Sequence, residues 1–230
     1  MGMVTRTGCL ICGKEIVYSI NDSEYVCAIC GAAVRANAVC EAGHFVCDAC
    51  HASAAGDFLD LIRGSEEKDP GRIFRRVIAL EGVHMHGPEH HAIVACTMLV
   101  AYKNSGGVVE FESAFEAAAE RGGKVPGGIC GFWGACGAAI GAGIFASLVL
   151  GSSPYYEDVW GAPQVLTARC LEKIAEFGGP RCCKRTSRIA IETCVRFVSE
   201  RFGIEMPLEG FRCEFSPVNA ECIGGRCPYF

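Results

Sequence analysis

PGGICGFWGACGAAIGAGIFASLVL, residues 126–150, is the stretch on which the kind of protein turns. No charged residue occurs from Val125 to Tyr156, and Ile129 to Leu150 is long enough, at about 1.5 Å per residue, to cross a bilayer. Ten of those 22 positions are glycine or alanine, however, two are cysteine, and the basic residues that would flank a span are sparse. Small side chains let neighbouring helices approach closely, so the stretch is read as one helix buried on all sides of a globular protein, and no membrane is expected. On that reading Gly137→Leu overpacks the interior.

Helical patterns lie on both sides of it. Downstream, a helix is expected from near Pro163 to Phe177, stopped by Gly178-Gly179, and another from Pro180 to about Phe202. Upstream, Pro70 opens a helix to about Leu80, Pro88 opens one to about Asn104, and a third runs from about Val109 to Arg121. Asp57 to Arg63 reads as a short amphipathic piece, Ser65 to Asp69 as a charged hinge, and the tail from Gly203 lacks periodicity. The expected fold is mainly α, a helical body with a small N-terminal zinc-binding module built as a ribbon or a cross-brace. Residues 1–52 form the module, 53–74 a linker and short helix, and 75–230 a helical cysteine-rich domain.

The cysteines set the chemistry. Of 17, seven lie in the first 50 residues, in a run without the apolar export segment that a secreted disulfide scaffold would carry. They form ligand pairs in order: Cys9-x2-Cys12, Cys27-x2-Cys30, Cys40-x3-His44 and Cys47-x2-Cys50. Eight ligands make two tetrahedral sites, and glycine directly after Cys12 and Cys30 permits the tight turn of a zinc knuckle. Between the pairs, VYSI (17–20) and EYV (24–26) read as short strands around a turn at Asn21-Asp22-Ser23. Sequential pairing would give a zinc ribbon, and interleaved pairing a cross-brace; spacing fits both. His51, beside Cys50, is a spare ligand candidate that reads more simply as a helix-entry residue.

In the body, HMHGPEHH (84–91) holds four of the six histidines at a helix start, where the dipole disfavours their protonation. His86 with His90 or His91 are the candidate ligands, and Glu89 a nearby base. Cys130 and Cys136 lie six apart among glycines, and Cys182 and Cys183 stand at a helix start beside Arg181, Lys184 and Arg185, a setting that favours thiolate. Cys130, Cys136, Cys182 and Cys183 are expected to converge on one site, with Cys182 and Cys183 as its reactive thiols. Cys96, Cys170 and Cys194 read as core. The tail adds Cys213, Cys222 and Cys227-Pro228; a cysteine before proline ends one common iron–sulfur ligand run, although the spacing here differs from that run.

These segments resemble an uncharacterised cysteine-rich prokaryotic domain family that carries an EHH helix (Glu89-His90-His91), a GGxCGxxGxCGA segment (Gly127 to Ala138) and a GGPRCCKR segment (Gly178 to Arg185). The likeness covers roughly residues 75–230. More distantly, the body is similar to the redox-active family named for its C-GCAxxG-C-C signature, with CGFWGACGAAIGAG standing in place of the plain GCAxxG. That resemblance implies a body that binds an iron–sulfur cluster or another redox centre.

A net charge of −5 supplies no basic face to neutralise phosphates, so no nucleic-acid partner is expected, and no glycine loop follows a strand as nucleotide binding would require. The function expected is that of a cytoplasmic metal-binding protein handling electrons, sulfur or a metallocofactor. It would carry two zinc ions in the module and an iron–sulfur cluster or transition metal in the body. The alternatives are an adaptor whose zinc module docks a protein partner, and a zinc- or thiol-dependent methyl- or sulfur-transfer enzyme.

Overall fold

The computed structural model of the chain describes residues 7–54 and 58–230, so Met1 to Arg6 and the expected helix start at Asp57 lie outside the described residues. The N-terminal part is a two-stranded ribbon followed by a short helix. β1 (Ile16–Val26) pairs antiparallel with β2 (Ala33–Cys40), and α1 covers Asp48–Ala54. The expected turn at Asn21-Asp22-Ser23 is instead an irregularity inside one long strand. From Tyr18 to Ser23 β1 advances five residues while its partner advances two, from Ala38 to Ala36. Phe45, Cys27 and Cys47 are the buried centre of this part, with Tyr25, Val34 and Val39 around them. So small a core cannot offset the chain entropy of ordering some forty residues.

The body is mainly helical, as its patterning leads one to expect. Its helices are α2 (Phe58–Arg63), α3 (Pro70–Ile78), α4 (Glu89–Asn104), α5 (Phe111–Gly123), α6 (Ile129–Phe132), α7 (Gly137–Val149), α8 (Glu157–Ala175) and α9 (Cys183–Phe202). α4 is the axis: all of Glu89 to Tyr102 is buried, and α2, α3, α5, α7 and α9 pack around it. Glycines set how close they come. A Cβ on Gly122 of α5 would lie 2.5 Å from the Ala92 Cα, and one on Gly141 of α7 would lie 2.4 Å from the His91 carbonyl oxygen. Cys96, Cys170 and Cys194 are fully buried in this core, as their sequence context implied.

Several boundaries differ from expectation for local reasons. The single helix from Ile129 to Leu150 is two, because Gly134 at φ +69° turns the chain between α6 and α7. The 13 residues of α7 reach about 20 Å, and no helix among the described residues is long and apolar enough to cross a membrane. α8 begins at Glu157, six residues before Pro163, which the helix carries in its interior. The charged stretch read as a hinge is pinned: Asp69 is buried, its Oδ1 accepts from the N–H groups of Gly71 (2.7 Å) and Arg72 (3.3 Å), and its Oδ2 accepts from Glu209 N (2.8 Å). α9 starts at Cys183, so Cys182 is its N-cap in extended backbone (φ −147°, ψ 102°) rather than a member of its first turn. The tail then folds back against that end, with Cys213 N donating to Tyr229 O at 2.7 Å and two short 3-10 turns at Ser216–Val218 and Gly224–Arg226.

Candidate metal centres

The ribbon decides how the N-terminal ligands combine. Its register places Cys40 opposite Ile16, which carries the third pair back to the first. Ala28 N donates to Phe45 O at 2.8 Å, which carries the fourth pair to the second. Two sets result: Cys9, Cys12, Cys40 and His44, and Cys27, Cys30, Cys47 and Cys50, each with ligand atoms all within 4.8 Å of one another. The interleaved arrangement is therefore the one the chain adopts. Sulfurs of one tetrahedral zinc ion stand about 3.8 Å apart, given bonds of about 2.3 Å; Cys12 and Cys40 are 3.5 Å apart and Cys30 and Cys47 are 3.8 Å apart. His44 offers Nδ1, 3.3 Å from the Cys12 sulfur. Backbone N–H groups of Ile11, Ala42 and Cys47 point at the sulfurs of Cys9, Cys40 and Cys27, each at 3.4 Å. The turns that aim them use Gly13, Gly31 and Gly43, all at positive φ. N–H groups of Cys30 and Cys47 bring the Cys27 thiol down to about 6, while the hydrogen bond with Cys30 pushes the Cys50 thiol up to about 12, so a metal must displace protons to be held here.

This unit docks on the body through polar and aromatic contacts. Asp48 Oδ2 accepts from Gly127 N at 2.9 Å, the Tyr18 ring lies 5.8 Å from Phe132, and Arg181 sits over the Tyr18 ring and donates to its hydroxyl. His51 reaches Glu89 at 3.2 Å, and its ring lies tilted against that of His84 with centroids 4.7 Å apart. These three form a further set able to hold an ion, at the join itself. Glu89 is fully buried; burial works to raise its carboxyl, but His51 and His90 outweigh burial and hold it well below the usual range.

Between the two parts lies a cavity of about 1060 Å³. Cys130, Cys136, Cys183, His86, His90 and His91 all line it, and Cys182 does not; Cys182 faces a separate small cavity under the tail. The four body cysteines expected at one site are thus split three to one. Burial also reverses the expected ionisation: it pushes the thiols of Cys136, Cys182 and Cys183 up, against the N–H groups and cations nearby, so a metal must displace their protons.

The imidazoles are arranged for ligation. His90 Nδ1 donates to Gly87 O at 3.2 Å, leaving a buried Nε2 with no hydrogen-bond partner among the described residues. His86 Nε2 donates to Asn219 Oδ1 at 3.3 Å and leaves Nδ1 bare in the same way. An anchored N–H on one ring nitrogen and a free lone pair on the other is the arrangement of a metal-binding histidine. The Asn219 amide is oriented by Glu221 N, which donates to Oδ1 at 3.0 Å, so its Nδ2 faces the Cys182 sulfur at 3.7 Å. His91 is different: Nδ1 donates to Val125 O at 3.0 Å and the ring packs on Gly137.

Residues 58–230 match the model of a family of unknown function, DUF5714. The chain belongs to that family. No curated protein and no solved structure matches it. The DUF5714 match begins at α2 and takes in α4, the Cys130–Cys136 loop, α9 and the tail, while the eight N-terminal ligands precede it.

Two groups escaped the sequence reading. His51 sits where a helix-entry residue is expected, yet α1 carries it to Glu89. The tail cysteines face Cys182, and the proline after Cys227 was the signal that pointed to them.

Burial lowers the His91 pKa to about 4, below the unfolded value near 6.5. The native state then binds fewer protons than the unfolded one across that window, so stability is complete above about pH 6.5 and falls as pH drops toward 4. By pH 5 His91 alone should cost about 2 kcal/mol. Urea unfolding at pH 7.5 and 5 should show a smaller loss in His91→Gln than in the wild type; equal losses would rule out His91 as the source.

Proposed function

We propose that this protein takes up a soft metal ion, or a cofactor that carries one, in the cavity between its two parts, and that it serves electron, sulfur or metallocofactor handling in a reducing compartment. The observation that carries this reading is that three thiols, Cys130, Cys136 and Cys183, line one cavity with His86 and His90, each of which keeps a buried ring nitrogen without a hydrogen-bond partner among the described residues. Thiolate and imidazole together select zinc, copper(I) or iron over magnesium or calcium. Zinc in the two interleaved N-terminal sets builds the outer wall, so the module's role is to close the site rather than to perform its chemistry. Arg181 and Arg185, which also line the cavity, neutralise part of the charge that three thiolates would bring.

Titration of ferrous or cuprous ion into the zinc-loaded full chain tests this. Cys136→Ser and Cys183→Ser should each weaken binding of the added ion by at least tenfold, since outer-sphere changes alone cost that much, and leave the N-terminal zinc in place. Wild-type stoichiometry and affinity in both variants would sink the proposal.

A further inference from the structure

The second cavity of the body is built from cysteines that the site above does not use. Cys182, at the N-cap of α9, meets Cys213, Cys222 and Cys227 of the folded-back tail, and the four line one small cavity together with Lys184, Arg185 and Asn219. None of the four is in a disulfide. Four thiols on the wall of one small cavity, none of them bonded to another, make a donor set for a soft metal centre.

Hydrogen-bond donors and cations stand around these sulfurs. Phe215 N donates to the Cys213 sulfur and Gly224 N to the Cys222 sulfur, each at 3.4 Å, and Asn219 Nδ2 faces Cys182. Two buried cations line the space. Lys184 is held by the carbonyls of Ile78 and His84, both at 3.2 Å, and Arg185 keeps a buried Nε without a hydrogen-bond partner among the described residues. Phe211, Ile223 and Tyr229 complete the walls with apolar surface.

We propose that Cys182, Cys213, Cys222 and Cys227 ligate an iron–sulfur cluster of the four-iron type. Spacing separates this from a third zinc site. Each N-terminal set closes to within 4.8 Å, and among the described residues these four sulfurs form no such set. A polynuclear cluster binds each thiolate to a different iron and so holds the sulfurs farther apart than a single ion does. The negative charge of a cluster with four thiolates is met by Lys184 and Arg185. Ligands at 182, 213, 222 and 227 share none with the cavity between the parts, so this site stands or falls separately from the one proposed above.

The full chain, purified anaerobically and reconstituted with ferrous iron and sulfide, provides the test. The expected result is brown protein with about four acid-labile sulfide per chain, iron at least equal to that sulfide, and the Mössbauer signature of a cubane. Cys213→Ser and Cys227→Ser should lose the labile sulfide and the iron that goes with it, and Cys96→Ala, at a core cysteine that lines neither cavity, should retain both. Wild-type protein that stays colourless, that binds iron without labile sulfide, or that takes one zinc at these cysteines overturns the proposal, and these outcomes do not depend on whether a variant folds. Full iron retention in both tail variants overturns it equally.

Discussion

Removal of metal by a strong chelator should unfold residues 9–54 as a unit while α4 and α9 keep their protection from amide exchange. Among the described residues of the N-terminal part, Phe45 is the one large buried side chain besides ligands, and the strands expose Val17, Ile20 and Val26. Structural zinc supplies about 10–16 kcal/mol in units of this size, more than the whole stability of an ordinary small domain. Because the pairs interleave, the loop from Cys40 to Cys50 serves both sets, so loss of either ion loosens the ligands of the other. Cys27→Ser should therefore release both ions, not one, when metal is counted with a chromogenic chelator. Unchanged exchange protection after chelation, or release of a single ion from Cys27→Ser, would show that the module is held by something other than its thiolates.

Gly141→Ala should destabilise the body by about 2 kcal/mol, although alanine is the better helix former. The added methyl would sit 2.4 Å from the His91 carbonyl oxygen and 3.3 Å from the Val94 Cβ, and the first of these is backbone of a helix buried along most of its length. α4 is held on its other side by Gly122, whose Cβ would meet Ala92 at 2.5 Å, so it has nowhere to retreat. Gly141→Leu should cost several kcal/mol, and so should Gly137→Leu, whose Cβ would lie 2.2 Å from the His91 ring. Gly131→Ala is the control, since nothing lies within 4 Å of the added atom. Urea or thermal unfolding ranks the four. If Gly141→Ala gains stability, propensity has won and the close approach of α7 to α4 is not as drawn.

What the sequence made legible, and what it hid, divides along physical lines. The ligand pairs were readable because thiolates need a tight turn between them and glycine after Cys12 and Cys30 announces it. Their combination was not, because spacing is blind to register; only the return of Cys40 beside Ile16 settles it. α3, α4 and α9 were readable from proline starts and small-residue stops. The break at Gly134 was hidden because glycine within an apolar run looks alike whether it packs a helix or ends one. Cys182 and Cys183 looked like one reactive pair, but an extended N-cap sends successive side chains to opposite sides. The tail showed no period because its order comes from Cys213, Cys222 and Cys227 facing Cys182, and such a constraint leaves no repeat to read.

Asn219 gives the two cavities a common hinge of charge. Its amide donates toward the Cys182 sulfur with one end and accepts the His86 N–H with the other. A sulfur that becomes more negative draws the amide dipole toward itself, and a polarised amide oxygen pulls harder on the imidazole proton. The bare nitrogen of His86 then becomes a stronger base and a better ligand. With a cluster bound beneath the tail, as proposed, an electron gained there would be felt at His86 on the far side of the α9 start, across one side chain.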